Sequence, residues 1–242
     1  MDPMTALAAS GLRARMESLD LLANNIANAS TGGYKADREF YSLYVGPEAE
    51  DEDSAAAMPV IERQWTDLSQ GSVHPTGNAL DLALAGSGFF TVEGPNGPLY
   101  TRNGNFHLAS DGRLMSPDGY PAQSVGGTAL TVAASQPVEI MGDGTIRQGA
   151  ANVGQLAIVD FADPAALAKQ GGNYFVADPA AKPTAPSGTS VQQGQIEDSN
   201  AGTAEGAVRL VAVMRQFEMM QKAVMIANDM SKQAIEQVAK VG

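Results

Sequence analysis

Hydrophobic positions near the N-terminus recur at helical spacing. Apolar or small residues stand at alternating steps of three and four, on one line of a helix: Ala9, Leu12, Met16, Leu19, Ala23 and Ile26, here called the N-terminal seam. Asn24, Asn25 and Asn28 flank this line. Because an amide both donates and accepts hydrogen bonds, we expect them to pack against backbone or other amides rather than water. Thr31-Gly32-Gly33 predicts the helix end; an ordinary asparagine-rich end with a glycine cap is the alternative interpretation.

The same spacing returns near the C-terminus. The C-terminal seam consists of Leu210, Val213, Phe217, Met220, Val224, Ala227, Ser231, Ala234 and Val238, of which only Ser231 is polar. A helix from about Thr203 to Lys240 would be roughly 55 Å long at about 1.5 Å per residue. Periodic patterns longer than about 25 residues favour a coiled coil. We therefore predict that the two terminal helices pair as a coiled coil and then polymerise through further partners.

Between these helices the pattern is typical of β-strands. From Val60 to about Glu197, short apolar runs are separated by dipeptides that suit hairpin turns: Asn96-Gly97, Asn103-Gly104, Asp111-Gly112, Asp118-Gly119 and Asp143-Gly144. The predicted strands are FFTV, PLYTR, FHLA, RLMS, VEIM, TIRQ, a fuller apolar LAIVDF, and VQQGQIE. Asp163 and Pro164 predict a short helix that extends to Lys169. The predicted fold class is α+β, with the terminal helices around an inserted all-β domain of short hairpins.

Charge and composition suggest three regions. We predict a terminal helical assembly domain at residues 1–35 and 200–242, an acidic connecting segment at 36–59, and a β-rich outer domain at 60–199. The formal net charge is −12, and residues 36–199 hold 20 of the 27 acidic side chains but 7 of the 15 basic ones. Nearly neutral ends can pack side by side without long-range repulsion. The acidic middle argues against nucleic acid and anionic membrane surfaces as partners.

Few residues are arranged for chemistry. His74 and His107 lack the spacing of metal ligands, and the five carboxylates within residues 48–53 lack the pattern of a calcium loop. The Gly-Ser-Gly at 86–88 precedes a predicted strand, whereas a nucleophile elbow precedes a helix. The chain has no cysteine, no phosphate-binding loop and no run of 18 apolar residues. We therefore predict a protein that is not an enzyme, needs no cofactor or metal, and does not span a membrane.

Three stretches, in this order, resemble the bacterial flagellar rod, hook and hook-associated axial proteins. LANNIANASTGGYK is similar to the N-terminal signature of that family. The stretch from Gly71 to Pro121 is similar to the core of the rod branch, and SNAGTAEGAVRLVAVMRQFEMMQKAV resembles the C-terminal helix of the family. The modest length and the residues from Gly71 to Asp81 favour the proximal-rod branch, with the distal-rod branch as the alternative.

The resemblance implies a structural subunit of the flagellar basal-body rod, which connects the basal body to the hook and is needed for motility. It implies assembly with copies of itself and other rod subunits, and passage through the flagellar export apparatus. It also implies a place in the rod, in the periplasmic space, without a cleaved signal peptide. The predicted assembly interface consists of Leu12, Met16, Leu19, Ala23, Asn24, Asn25, Ile26, Asn28, Thr31, Gly33, Tyr34, Leu210, Val213, Phe217, Met220, Val224, Ala227, Ala234 and Val238.

Other functions stay open at this point. The chain could be a distal-rod or hook-type axial protein of the same family. A different class is a coiled-coil oligomer that displays a glycan- or peptide-binding β module. A cell-wall hydrolase would need a catalytic carboxylate pair, and the sequence does not single one out. The N-terminal region lacks the pattern of a signal peptide, so composition alone would indicate a cytoplasmic protein.

Overall fold

The structure, a computed structural model, describes residues 3–45, 57–171 and 173–241. Within these residues it contains two long helices, one short 3-10 helix and several small antiparallel sheets, so the predicted α+β class is confirmed. The chain divides into two compact units. Unit 1 comprises the described parts of Met1–Ala27, Asp37–Thr66 and Gly202–Gly242, and unit 2 comprises Asn28–Ala36 and the described parts of Asp67–Ala201. The acidic stretch at residues 48–53 lies outside the described residues.

Unit 1 contains both long helices. Helix α1 spans Pro3–Ala27 and helix α2 spans Thr203–Val241. The helices contact each other and run antiparallel. A Cβ atom on Gly11 would lie 2.6 Å from Met220 Cε, and one on Gly206 would lie 3.1 Å from Ile26 Cγ1. Glycine at these two positions therefore lets the partner helix approach closely.

Unit 1 also contains a long β-hairpin. Strand β1 spans Asp37–Val45 and pairs antiparallel with β2, Ala57–Thr66. The register shifts between Phe40 and Tyr41, which is a bulge and increases the local twist. Helix α1 contacts both strands. The hairpin is thus part of the same unit as the helices, although β1 lies in the range that the sequence assigned to a connecting segment.

Unit 2 is built from short strands. In chain order they are β3 Val73–Pro75, β4 Leu82–Ala85, β5 Phe89–Gly94, β6 Gly97–Thr101, β7 His107–Leu108, β8 Leu114–Met115, β9 Glu139–Ile140, β10 Thr145–Gln148, β11 Ala151–Gln155, β12 Ile158–Val159, β13 Leu167–Lys169, β14 Tyr174–Ala177, β15 Ser190–Gln193 and β16 Gln195–Glu197. The largest sheet has the order β12-β5-β6-β14-β13. Its hairpin β5–β6 turns at Pro95 and Asn96, so the predicted Asn96-Gly97 lies at the end of the turn, and Gly97, the first residue of β6, has a φ of 125°.

The largest sheet of unit 2 is covered on both faces. Phe90 packs into the main core, together with residues such as Leu82, Leu84, Val92, Phe106, Leu114 and Ile146. Phe89 packs on the opposite face with Tyr100, Phe161 and Phe175. Successive strand residues point to opposite faces, so two adjacent phenylalanines are what a doubly covered strand requires.

Two predicted elements differ from the structure. The 3-10 helix spans Pro164–Ala166, and Asp163 accepts a hydrogen bond from the Ala165 backbone N–H as its N-cap. The helix does not continue to Lys169, because Leu167–Lys169 pairs with β14 as strand β13. The apolar run LAIVDF forms only the two-residue strand Ile158–Val159. Pairing with β14 overrides the helical pattern at Leu167–Lys169, whereas the ends of LAIVDF pair elsewhere, Leu156 with Ser124 and Asp160 with Thr184.

We expect the free energy of unfolding of unit 2 to decline less steeply at alkaline pH in Tyr174→Phe than in wild type. The Tyr174 hydroxyl donates to Ser116 Oγ at 2.9 Å, and burial raises the pKa of this phenol above its ordinary value. The unfolded chain therefore releases this proton at lower pH than the folded chain. The contribution of Tyr174 to the free energy of unfolding is fully present below about pH 10 and is lost as the pH rises above it. The slope is at most about 1.4 kcal/mol per pH unit. Urea titrations from pH 9 to 11.5 should show a steeper decline for wild type than for Tyr174→Phe; equal slopes would contradict this.

Candidate assembly surface

The C-terminal seam is the face of α2 that is turned inward within unit 1. Val213 is buried at 5% exposure, and the other described seam residues Leu210, Phe217, Met220 and Val224 are partly buried. Their neighbours on the other sides of α2 are mostly exposed. The side chains of Ala227, Ala234 and Val238 lie outside the described residues. The seam therefore faces α1 along its described part.

The buried residues of α1 lie on a face of the helix that is rotated about the helix axis relative to the N-terminal seam. The buried residues are Gly11, Ala14, Ser18, Leu21, Leu22 and Asn25. Of the seam, Leu12, Leu19 and Ile26 are partly buried, whereas Met16 and Ala23 are exposed. Small residues on the buried line let α2 approach, as Met220 does at Gly11. The exposed part of the N-terminal seam stays a predicted contact for other subunits.

Helix α2 carries a second apolar line that no other described part of unit 1 covers. Exposed apolar side chains on α2 are Val208, Val211, Met214, Met219, Met225, Ile226 and Met230, with exposed fractions from 48% to 73%. At 3.6 residues per turn, four of them form one line on the side turned away from the C-terminal seam. This outer line consists of Val208, Met219, Ile226 and Met230. Exposed apolar side chains grouped on one face of a helix mark a candidate protein–protein contact.

The asparagines of the signature have different surroundings. Asn25 is buried, and its amide donates to Asp37 O at 2.7 Å while its Oδ1 accepts from the Asp37 backbone N–H at 3.0 Å. Asn28 accepts from the Thr31 hydroxyl at 3.4 Å. Asn24 is exposed. The expectation that the amides pack against backbone is thus confirmed for Asn25, which joins α1 to β1.

A carboxylate that the sequence did not single out links three elements of unit 1. Glu39 on β1 has a fully buried side chain. Its Oε1 accepts from Ser18 Oγ on α1 at 2.7 Å and from Arg209 Nη2 on α2 at 2.8 Å. A serine in the middle of an apolar helix face was the available signal, because it has to find a partner when buried. The contact fixes both helices relative to the hairpin.

The end of the signature belongs to unit 2. Gly33 and Tyr34 are buried there, and the Gly33 backbone N–H donates to Glu197 O at 2.7 Å. The Lys169 ammonium lies 4.2 Å from the centre of the Tyr34 ring. Thr31, Gly33 and Tyr34 thus belong to unit 2, and their part in the assembly interface stays a prediction. Their observed contacts are within the subunit.

The described residues show neither a cluster of metal-ligating side chains nor a membrane-spanning helix. No group of three or more His, Asp or Glu residues among them could hold a metal ion. None of the described helices is long and apolar enough to cross a bilayer. His74 Nδ1 lies 3.0 Å from Asp198 Oδ2, and the Ser87 hydroxyl donates to Asp160 at 2.5 Å. His74 lies on β3, and Ser87 lies in the bend between β4 and β5, both in unit 2.

Comparison with known proteins gives one consistent family. Residues 7–35 match the model of flagella basal body rod proteins, 83–148 the D1 domain of flagellar hook proteins FlgE/F/G, and 192–237 the C-terminal domain of flagellar basal body rod FlgEFG proteins. The chain is 30% identical over 226 residues to the basal-body rod protein FlgF of Caulobacter vibrioides, covering 92% of each chain. It is 32% identical over 254 residues to FlgG of Agrobacterium fabrum, covering 93% of this chain and 95% of the relative. A FlgF protein of Mesorhizobium japonicum is 31% identical, with 88% of each chain covered. The chain therefore belongs to the flagellar basal-body rod protein family.

Proposed function

We propose that this protein is a structural subunit of the flagellar basal-body rod, which assembles through its terminal helices into the shaft that joins the basal body to the hook. Motility depends on it, and the proposed role involves no catalysis. The observation that carries this proposal is the two-sided apolar character of α2. One line packs against α1, and the outer line of Val208, Met219, Ile226 and Met230 is exposed in the subunit.

Burial of the outer line of α2 and of the exposed part of the N-terminal seam would drive assembly. Removing apolar surface from water contributes about 25 cal/mol per Å². Contacts between unlike surfaces, such as the outer line of one copy and α1 of the next, repeat without closing and so build helical filaments. The nearly neutral ends of the chain favour such packing, because few like charges would be brought together. In the assembled rod, we expect α1 and α2 to pair as a coiled coil.

The proximal-rod position, that of FlgF, is the version we favour. The FlgG relatives align over 252 to 257 positions, more than the 242 residues of this chain, so those alignments require gaps in it. The two FlgF relatives named above align over 226 and 216 positions. A distal-rod position, that of FlgG, is the alternative. Among the described residues of unit 2, every phenylalanine and tyrosine is buried or partly buried, which argues against the glycan- or peptide-binding alternative.

Partners and location follow from the same proposal. The subunit would contact copies of itself and other rod subunits, and would reach the rod in the periplasmic space through the flagellar export apparatus without a cleaved signal. Neither nucleic acid nor a lipid bilayer is a proposed partner. The strongly acidic middle region supports the first exclusion, because phosphates need a basic surface.

Sedimentation and negative-stain microscopy of the purified full-length chain test this function. We expect rings or filaments that grow with protein concentration. Met219→Asp should abolish them without changing the fold of the subunit, since Met219 is 62% exposed and a charge there meets water until assembly buries it. Met219→Leu is the matched control and should assemble like wild type. A wild-type chain that stays monomeric at high concentration, or Met219→Asp particles that look normal, would contradict the proposal.

A further inference from the structure

Unit 2 contains three charged side chains that are almost completely buried. Lys35 Nζ donates to Glu197 Oε1 at 2.5 Å, and Arg102 Nη1 donates to Glu197 Oε2 at 3.2 Å. The side chains of Lys35 and Glu197 are 0% exposed, and that of Arg102 is 4% exposed. Lys35 also donates to the Ser69 carbonyl, and Arg102 to the Gly86 carbonyl. One carboxylate thus holds two cations that come from distant parts of the chain.

Glu197 stabilises the charged forms of Lys35 and Arg102 in the interior. Burial lowers the pKa of Lys35 and of Arg102 from their ordinary values, and the carboxylate of Glu197 opposes this in both cases. Asp67 and Asp160 support Lys35 and Arg102, respectively, by charge alone and more weakly. A buried pair that loses one partner is strongly destabilised, because an uncompensated charge is left in the interior.

Residues 197–200 also form hydrogen bonds with the backbone of residues 33–36. The Glu197 carbonyl accepts from the Gly33 N–H at 2.7 Å. The Asn200 N–H donates to Tyr34 O at 3.2 Å, and its side-chain Oδ1 accepts from the Ala36 N–H at 2.7 Å. Without residues 197–200, these backbone groups of residues 33–36 would lose the three hydrogen bonds, which is costly in an interior.

We propose that unit 2 cannot fold without Glu197, so that this unit reaches its folded state only after the chain has been delivered as far as residue 200. Lys35 and Arg102 emerge first from any channel that releases the chain from its N-terminus, and Glu197 follows 162 residues after Lys35. Until then, folding residues 28–36 onto the rest of unit 2 would bury two cations without their counter-ion. Unit 2 therefore stays unfolded for as long as Glu197 has not been delivered. This inference rests on the proposed export of the chain, but not on the proposed assembly.

Urea unfolding of full-length variants tests the requirement for Glu197. Unit 2 can be followed by the circular dichroism of its buried tyrosines Tyr100 and Tyr174. We expect Glu197→Gln to lower the urea midpoint by half or more, or to abolish the transition, whereas Lys35→Met should lower it less, because the Arg102–Glu197 pair persists. The controls Glu139→Gln and Lys182→Met, at exposed positions of unit 2, should match wild type.

The double variant decides whether charge is the cause. Lys35→Met destabilises wild type, but it should stabilise Glu197→Gln, because it removes one of the two cations that this variant leaves unpaired. If Glu197→Gln does not fold, recovery of a cooperative transition in Lys35→Met/Glu197→Gln is the supporting result. A double variant that is no more resistant to urea than Glu197→Gln would overturn the proposal.

Discussion

Phe217→Asp is expected to abolish assembly while unit 2 stays folded. Phe217 has the largest side chain on the C-terminal seam and is partly buried in unit 1. A carboxylate there would lie in the contact between α2 and α1, where an unpaired charge is strongly unfavourable. Loss of the ring adds on the order of 3 to 5 kcal/mol for a fully buried Phe. Cells carrying this variant should release a subunit with a normal unit 2 and lack hooks, filaments and motility.

The control for Phe217→Asp is Lys222→Gln. Lys222 is exposed and lies off the C-terminal seam, and the change exchanges one polar side chain for another. Cells with Lys222→Gln should swim normally. Normal swimming with Phe217→Asp would show that the seam is not a packed assembly element, and assembly through the terminal helices would then be untenable.

Gly33→Ala is expected to destabilise unit 2 severely. Gly33 has a φ of 68°, in the left-handed region that costs other residues roughly 1–2 kcal/mol. A Cβ atom would also overlap the backbone of Arg102 and Asn103, which cannot rotate away as a side chain could. Together these effects should cost on the order of 3 kcal/mol or more, given about 1–3 kcal/mol for overpacking alone. The measurement is the urea midpoint of unit 2.

Gly77→Ala isolates the steric part of that loss. Gly77 has nearly the same φ, 76°, but a Cβ atom there would meet no other atom within 4 Å. We expect this variant to lose only the conformational cost of roughly 1–2 kcal/mol. Equal losses for both variants would show that Gly33 is needed for its backbone conformation and not for the close approach to residues 102 and 103.

The sequence predicted those features that depend on local periodicity. The predicted start of α2 at about Thr203 is its first residue in the structure, whereas α1 already ends at Ala27, four residues before the Thr-Gly-Gly stop. The turn at Asn96-Gly97 was also predictable, because the positive φ of such a turn needs a residue like glycine. The family emerged from the order of three motifs, each of which matches a family model.

Features that depend on tertiary pairing were not predictable from spacing. The rotated buried line of α1 depends on small residues such as Gly11 and Ala14, which a search for large apolar side chains passes over. Residues 28–36 belong to unit 2, in which Lys35 meets a carboxylate 162 positions away. The sequence pattern assigned the three residues of β13 to a helix, whereas in the structure they pair with β14. In each case the decisive partner is distant in sequence.

Hydrogen exchange on the dilute subunit and on the assembled particle tests assembly through the terminal helices most directly. If the helices carry the contacts, amides in α1 and α2 should exchange at least tenfold more slowly after assembly, equivalent to about 1.4 kcal/mol of added protection. Amides in the strands of unit 2 should change by less than about twofold on the same scale. Slower exchange confined to unit 2, with α1 and α2 unchanged, would contradict assembly through the helices.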